Sequence, residues 1–246
     1  MYSRKEFEEL RERSAGEMAK DKGLHQESLD LLVKADRYNW IHQTSWFGEP
    51  ILQLPQDMFV LQEIIFRTRP KYIIEIGVAW AGSLLFYSTL MEALGGERII
   101  GVDIYIPPDL RERVNSFGRL SERIELIEAS SIEPATLDKI RGILKGSDDV
   151  LIHLDSNHTH DHVLAELKLF APLVGPGRYM ICGDTVVEDI PAQDHRPRPW
   201  GPGNNPKTAL TEFLKTDDRF EVDPQFQNRY LFTCNPGGYL RRKGAR

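Results

Sequence analysis

Apolar residues occur along this chain in short runs, separated by stretches in which apolar and polar residues mix at helical spacing. Five such runs, rich in Ile, Val and Leu, lie at 72–76, 99–103, 124–128, 150–154 and 179–182. Continuous apolar runs are typical of strands that are buried on both faces of a parallel sheet. The alternation of these runs with longer amphipathic stretches predicts an α/β fold.

The amphipathic stretches predict helices from Pro55 to just before Pro70, and over 83–94, 134–145, 159–171 and 206–215. Near the C-terminus, apolar residues at Phe220 to Val222 and Arg229 to Cys234 predict two further strands that form an antiparallel hairpin. The fold class is therefore α/β and Rossmann-like, with a mostly parallel seven-stranded sheet that ends in an antiparallel hairpin.

The first 54 residues differ from the rest, and we divide the chain into an N-terminal helical arm with an aromatic substrate loop (1–54) and a main domain (55–246). Ser3 followed by Glu6 is a capping box for a first helix. The aromatic segment 38–51, which includes Trp46, has two interpretations. It either covers a pocket and contacts substrate or is a hydrophobic plug that anchors the arm, and the arm itself packs on its own domain or on a second subunit.

A turn with two glycines follows the first strand of the predicted sheet. Gly77 allows a sharp turn, and Gly82 allows the chain to lie close to a ligand. Ser83 stands where a P-loop has lysine, which argues against nucleoside triphosphates. Ala79 stands where a dinucleotide-binding turn has its second glycine, which argues against dinucleotides. The turn therefore fits a nucleotide-like ligand of some third class better than either of these two.

Carboxylates stand at the ends of later strands. Asp103 follows the second strand, where a Rossmann-like fold places an acid on the ribose hydroxyls. Asp155 and Asp184 follow the fourth and fifth strands, and neighbouring parallel strands lie about 4.8 Å apart, so the two carboxylates can converge on one divalent cation. Oxygen ligands on a half-open site suit Mg²⁺. A zinc site at His158 and His162 is disfavoured, because no cysteine and no H-E-x-x-H pattern is near.

Composition narrows the functional classes. The net charge of −6 argues against a nucleic-acid or membrane surface, since the only basic cluster is the short segment 241–243. Two cysteines cannot form a disulfide framework, and no signal peptide or apolar run of transmembrane length is evident. We expect a cytoplasmic protein.

Several of these pieces together resemble one family: the bacterial magnesium-dependent O-methyltransferases that include rhamnosyl and macrolide-sugar O-methyltransferases and cephalosporin-hydroxylase-type proteins. The pieces are Trp46 to Ile51, Ile74 to Gly77 with Gly82-Ser83, Val102-Asp103, Leu154 to His158, Gly183 to Thr185, and Asn235 to Leu240. They span residues 38 to 242, and the sheet ending predicted above is that of class I methyltransferases.

The resemblance implies S-adenosylmethionine as cofactor. Its amino-acid part would lie at Glu75, Gly77, Gly82 and Ser83, its ribose at Asp103 and its adenine along Ser130 and Ser131, although Ser131 is also a candidate helix cap. It also implies that His158 is the general base, that Asp155 and a Glu-Asp pair bind Mg²⁺, and that the protein is a homo-oligomer.

The sequence departs from the family at one metal position. The Glu-Asp pair reads Gly183-Asp184, so one of three carboxylates is missing. Loss of a carboxylate weakens a site for a hard cation. Three alternatives remain for the vacant position. A water takes it, a nearby acid such as Glu188 or Asp189 reaches in, or the metal has been lost.

The expected reaction is therefore methyl transfer to a hydroxyl of a sugar or glycosylated natural product. Catalysis would use Asp155 and Asp184 for Mg²⁺ and His158 as base. The segment 186–205 would form a lid whose His195 and Trp200, with Trp46, contact substrate. The main rival is a metal-free or non-catalytic S-adenosylmethionine-binding protein of the same fold; a hydroxylase is disfavoured, because no two-histidine, one-carboxylate iron site is recognised.

Overall fold

A computed structural model of the chain describes residues 2–193 and 195–244. The strands of this part are β1 Thr44–Trp46, β2 Glu49–Ile51, β3 Tyr72–Ile76, β4 Arg98–Asp103, β5 Ile124–Glu128, β6 Val150–Leu154, β7 Tyr179–Cys182, β8 Phe220–Val222 and β9 Tyr239–Arg242. The helices are α1 Arg4–Met18, α2 Lys22–Asp36, α3 Pro55–Thr68, α4 Gly82–Leu94, α5 Pro108–Asn115, α6 Pro134–Leu144, α7 His160–Phe170, α8 Pro206–Thr216 and α9 Gln225–Arg229.

The main sheet has seven strands in the order β5-β4-β3-β6-β7-β9-β8. Neighbouring strands from β5 to β7 are parallel, and β9 runs antiparallel to both β7 and β8. The predicted Rossmann-like fold class is therefore confirmed. Strand order reverses between β3 and β6, which is where open α/β sheets form their ligand crevice.

The two faces of the sheet bury separate hydrophobic layers. Ile74 and Ile76 point to one layer with α6, α7 and α8, whereas Ile73 points to the other with α3 and α4. All three isoleucines are at most 1% exposed. Burial of each such side chain contributes about 1.5–3 kcal/mol, so the runs that predicted the strands also hold both helical layers on the sheet.

The C-terminal hairpin was predicted from the wrong second strand. Phe220–Val222 is a strand, as expected, but its partner is Tyr239–Arg242, and 225–229 forms the short helix α9. Tyr239 and Leu240 are fully buried on opposite faces of the sheet. Gly238 permits this position, because a Cβ there would lie 2.2 Å from the carbonyl oxygen of Cys182.

The five predicted helices of the main domain are present, with ends that differ from prediction by one or two residues. Helix α5 was not predicted; prolines precede and open it, and its buried face is only Leu110 and Val114. A helix with so few buried residues has a weak periodic pattern.

The first 54 residues form two helices, a 3-10 turn at Trp40–His42 and the hairpin β1–β2. The capping box is present: Ser3 Oγ accepts from the Glu6 amide and the Glu6 carboxylate accepts from the Ser3 amide. Leu32 of α2 packs with Leu54, Val186 and Cys234, so the arm lies on its own main domain. The division at residue 54 itself stays a prediction.

None of the helices formed by residues 2–193 and 195–244 is both long and apolar enough to cross a bilayer.

Candidate active site

A cavity of about 800 Å³ opens at the carboxyl edge of the sheet, beside the point where strand order reverses. Volumes of about 300–1,000 Å³ are typical of small-molecule sites. The ends of five strands and the end of α2 form part of its walls. Residues of 40–42, 50–53, 186–193 and 196–202 complete them. The lining includes Glu75, Gly77, Ser83, Asp103, Ser130, Ser131, Asp155, His158, Asp184 and Trp200.

The end of β3 is held by a buried network around Glu75, which is 1% exposed. One carboxylate oxygen accepts from Ser83 Oγ at 2.6 Å, and the other accepts from Tyr87 OH at 3.1 Å and lies 3.4 Å from His153 Nδ1. Burial lowers the pKa of His153, but the Glu75 hydrogen bond and the nearby carboxylates outweigh it and raise that pKa overall. The network fixes the base of the glycine turn.

The turn itself adopts left-handed backbone at Gly77, Ala79 and Ala81. A Cβ at Gly77 would also lie 2.1 Å from the carbonyl oxygen of Asp155, so glycine is required there twice over. Left-handed alanines are strained, and such strain is concentrated at functional sites.

Gly82 has a packing role that the sequence did not predict. A Cβ at this position would lie 2.4 Å from the Pro50 carbonyl oxygen and 2.6 Å from that of Glu49. Gly82 is not part of the cavity wall. The small residue lets the hairpin β1–β2 pack on the start of α4, and its expected place beside a ligand stays a prediction.

Asp103 borders the cavity and fastens the same turn. Its Oδ2 accepts from the amides of Val78 at 2.8 Å and Ala79 at 3.3 Å. A carboxylate oxygen has two acceptor sites, so these bonds leave capacity for a ligand hydroxyl. The ribose role of Asp103 stays a prediction.

A second buried carboxylate organises the opposite wall. Glu166 Oε1 accepts from Ser131 Oγ at 2.6 Å and from Ser156 Oγ at 2.7 Å, and lies 3.0 Å from His162 Nε2. Helix α6 begins at Pro134 without a side-chain cap, so Ser131 is not its cap. Ser130 and Ser131 line the cavity, as expected for adenine contacts, and that contact stays a prediction.

Asp155, His158 and Asp184 converge on the cavity from the ends of β6 and β7. One ligand atom from each lies within 4.8 Å of the others, close enough for one metal ion. The His158 Nε2 lies 3.6 Å from Asp184 Oδ2. The predicted meeting of the two strand-end carboxylates is confirmed as geometry, and the histidine joins them.

The surroundings of Asp155 shift the pKa of its carboxyl group. Burial, and then the charge of Asp184, raise its pKa to about 6. Its Oδ2 accepts from Gln53 Nε2 at 3.2 Å, while Oδ1 lies toward Gly183, where a Cβ would be 2.8 Å away. Gln53 was not predicted, since a lone glutamine in a loop carries no motif.

The lid segment contributes Trp200 to the cavity. Its ring centroid lies 4.8 Å from that of His158, with an interplanar angle of 71°. His195 is not in the wall; its Nε2 lies 2.7 Å from Asp36 Oδ2, and Arg196 binds the same carboxylate through Nε and Nη2. Asp36 is only 4% exposed and ends α2, so it ties the lid segment to the arm. Sequence reasoning missed this contact, which joins residues 160 positions apart.

Trp46 also lies outside the cavity wall. Its ring packs edge-on against Phe86, with centroids 5.1 Å apart, within the layer around α4. The structure therefore supports the plug interpretation for Trp46, whereas Trp40 and Ile41 of the same segment do line the cavity. Trp46 and His195 were both predicted to contact substrate. Neither of them lines this cavity.

The Rhamnosyl O-methyltransferase/CmcI family model matches residues 38–243. This chain belongs to that family. Rhamnosyl O-methyltransferase of Mycobacterium leprae (strain TN) is 31% identical over 207 residues, covering 81% of this chain and 83% of that protein. The enzyme of the same name from Mycobacterium tuberculosis (strain ATCC 25618 / H37Rv) is 28% identical over 204 residues, with 81% and 78% covered.

Solved structures agree on the fold. Apo CmcI-N160 superposes with a TM-score of 0.58 at 20% identity, over 83% of this chain and 78% of that one. The methyltransferase PaMTH1 of Podospora anserina gives 0.51 at 23% identity, over 68% and 72%. At these identities the likeness supports the fold class alone.

Gly183 is the position where the chain departs from the expected family pattern. A side chain there would meet Asp155 Oδ1 at 2.8 Å and the Leu154 carbonyl oxygen at 2.8 Å. The two acids suggested as substitutes are engaged elsewhere: Glu188 accepts from Asn205 and the Gly203 amide, and Asp189 pairs with Lys207. The third side chain that meets Asp155 and Asp184 is instead His158.

Proposed function

We propose that this member of the Rhamnosyl O-methyltransferase/CmcI family transfers the methyl group of S-adenosylmethionine to a sugar hydroxyl, with metal assistance and His158 as general base. The observation that carries the proposal is the convergence of Asp155, His158 and Asp184 on one cavity at the reversal of strand order. Two carboxylates that could hold a cation, beside a histidine that could accept a proton, are a set of groups able to activate an alcohol.

The cavity fits the cofactor. It runs past the ends of β3, β4 and β5, where Glu75, Asp103 and Ser130 supply acceptors at three separate points of its wall. Those points match the amino-acid, ribose and adenine parts of S-adenosylmethionine in order along the sheet. A relative by fold, CmcI-D160, was solved with Mg and SAM, which is a property of that protein.

The donor set also fits a divalent cation. Asp155 and Asp184 offer hard oxygen ligands on a partly open site, which is the environment that Mg²⁺ prefers. A cation held there would supply positive charge beside the acceptor oxygen. The chain's own contribution is to fix the two carboxylates: Gln53 holds Asp155, and Asn235 Oδ1 accepts from the Asp184 amide at 2.9 Å.

His158 would take the proton of the acceptor hydroxyl at an imidazole nitrogen. Its side chain is 14% exposed, so it contacts the cavity while its ring stays packed. Trp200 lies against the ring and restricts its rotation. Methyl transfer needs hydroxyl oxygen, methyl carbon and sulfur in line, so this restriction would contribute through positioning.

The acceptor class follows from the relatives. Those at 28–31% identity are named rhamnosyl O-methyltransferases, and we extend a rhamnose or related sugar hydroxyl to this chain as a proposal. The space between 40–42 and the lid segment would hold the acceptor. We further propose a homo-oligomer, because Phe7, Leu31 and Tyr38 of the arm region are about half or more exposed; sedimentation velocity of the full chain tests this.

The first experiment is calorimetric titration of S-adenosylmethionine and S-adenosylhomocysteine into the protein, with magnesium and then with chelator. We expect binding that is lost in Asp103→Ala, and a magnesium signal that is lost in Asp155→Ala. If neither nucleoside binds the native protein, the methyltransferase proposal is wrong.

The second experiment is turnover with a panel of free and lipid-linked rhamnosides, followed by S-adenosylhomocysteine release and mass of the product. A methylated rhamnoside that requires magnesium supports the full proposal. Tight cofactor binding without any magnesium signal would instead favour the metal-free binding protein, which is the alternative that Gly183 keeps open.

A further inference from the structure

Gln53 is a buried polar residue in the cavity wall whose amide nitrogen holds Asp155 and whose carbonyl oxygen has no part in the proposed chemistry. It lies in the link between β2 and α3, is 7% exposed, and lines the cavity next to Asp155. Its side chain therefore brings an amide from the N-terminal part of the chain to the centre of the site.

The contacts of Gln53 fix which way its amide points. Nε2 donates to Asp155 Oδ2 at 3.2 Å and lies 3.5 Å from His153 Nδ1. The reversed amide would place Oε1 against the Asp155 carboxylate oxygen, where two acceptors would repel each other. The observed orientation leaves Oε1 as the free end.

That free end is buried and has no hydrogen-bond partner among residues 2–193 and 195–244. A buried acceptor without a partner is unfavourable, because it has lost its hydrogen bonds to water, so such groups normally have a donor. Because Gln53 borders the cavity, a bound molecule can supply that donor.

The surroundings select the kind of donor. The Gln53 amide is next to Asp155 and, through His153, next to Glu75, so the nearest groups include two carboxylates. A cationic N–H donor is favoured over a neutral hydroxyl in such a place, because the carboxylates attract its charge. An ammonium also has three hydrogens in different directions, which suits several acceptors on one wall.

We propose that Gln53 Oε1 accepts a hydrogen bond from the ammonium group of the cofactor's amino-acid part, and so acts as a cofactor-positioning residue. The proposal rests on the proposed function, since it needs S-adenosylmethionine in this cavity. Gln53 would then connect the cofactor to Asp155: its carbonyl oxygen would accept from the cofactor, and its amide nitrogen donates to Asp155.

The test compares two ligands that differ in the whole amino-acid part, which carries that ammonium and also a carboxylate. S-adenosylhomocysteine carries the amino-acid part, and 5′-methylthioadenosine lacks it. Both are titrated calorimetrically, in chelator, into the native protein, Gln53→Met and Gln53→Ala. Hydrogen bonds to charged groups contribute about 1.5–3 kcal/mol, so we expect S-adenosylhomocysteine to bind about 10- to 100-fold more weakly to the variants. Binding of 5′-methylthioadenosine should be unchanged.

Gln56→Met is the matched control. Gln56 belongs to α3, is partly buried and does not line the cavity, so its loss should leave both affinities unchanged. Thermal unfolding of each variant shows whether it is folded, and the near-isosteric Gln53→Met keeps the side-chain volume if Gln53→Ala is unstable.

Equal weakening of both ligands by Gln53→Met, or weakening of neither, would overturn the proposal. So would a loss for S-adenosylhomocysteine that appears only when magnesium is added, since the donor would then belong to the cation's environment. If the native protein binds neither ligand, the proposed function fails as well, and that result is distinct from binding that ignores Gln53.

Discussion

Two histidine–carboxylate pairs lie close together in this molecule and differ in almost every respect except chemistry. His153 and Glu75, 3.4 Å apart, are each 1% exposed and stand on adjacent strands of the sheet. His158 and Asp184, 3.6 Å apart, have side chains 14% and 29% exposed and face the cavity.

The difference shows how burial divides structural from chemical roles. Glu75 has three side-chain partners that contact both of its oxygens, so most of its hydrogen bonds are made within the wall. Asp184 is held through its backbone amide, which leaves its carboxylate directed at Asp155 and His158. The inner pair, His153 with Glu75, should therefore determine stability. The outer pair, His158 with Asp184, should determine reactivity.

The largest expected effect is on catalysis by the outer pair. His158→Ala should reduce methyl transfer by about 10²–10⁴-fold, because a general base is removed, while S-adenosylhomocysteine affinity stays at the native level. Single-turnover transfer to a rhamnoside acceptor measures the first, and calorimetry the second.

His160→Ala is the matched control for that variant. His160 lies two residues further on, binds Thr208 and Glu212 on α8, and is not in the cavity wall. Equal activity losses in the two variants would show that activity depends on the conformation of segment 158–160 and not on the imidazole of His158.

The inner pair should respond in the opposite way. Glu75→Ala removes the acceptor of Ser83, Tyr87 and His153 in a fully buried place, and should reduce the free energy of unfolding by about 3–5 kcal/mol. Asp184→Asn should cost less than about 1 kcal/mol, since its side chain is partly exposed and asparagine also tolerates left-handed backbone. Urea unfolding in chelator gives both values, and similar losses would contradict the division of roles.

A third pair, His195 with Asp36, sharpens the comparison because it is intermediate. Asp36 is 4% exposed, but His195 is 44% exposed, and the pair joins the arm to the lid segment. Asp36→Ala should cost about 1–3 kcal/mol of stability and raise the KM for the sugar acceptor more than it lowers kcat. Asp36→Asn keeps one acceptor for Arg196, so its stability and KM should lie between those of the native protein and those of Asp36→Ala. A kcat loss with unchanged KM would show that the lid does not position the acceptor.

Local patterns predicted that the two strand-end carboxylates, Asp155 and Asp184, would meet, and the reason is geometric. Asp155 and Asp184 end neighbouring parallel strands, so their meeting follows from the apolar runs before them. The strand–turn–helix at Gly77 was recognisable for the same reason. In each case sequence neighbours define the position.

Contacts between distant segments could not be predicted in this way. Gln53 reaches Asp155 across 102 positions and Asp36 reaches Arg196 across 160. The roles of Gly82 and the strand at 239–242 likewise depend on which backbone lies beside them: that of 49–50 and that of β7. A single sequence carries no periodicity that records such approaches.

The smallest expected effect concerns a buried carboxylate that lacks a histidine. Asp57 is 0% exposed and accepts from Thr233, Tyr239 and the Cys234 amide, with no cationic partner among residues 2–193 and 195–244. Burial raises its pKa above the ordinary 3.8. The folded state therefore keeps a proton that the unfolded state has released, so stability falls as pH rises from 3.8 through the folded pKa.

Asp57→Asn cannot titrate and should remove that slope, which is at most about 1.4 kcal/mol per pH unit. Urea unfolding of both proteins from about pH 4 to about pH 8 measures it. The variant should gain stability relative to the native protein as pH rises, whatever constant cost the amide adds. A difference that does not change with pH would mean that Asp57 ionises as easily as it does in water, and that a buried carboxylate here needs no histidine such as the one beside Glu75.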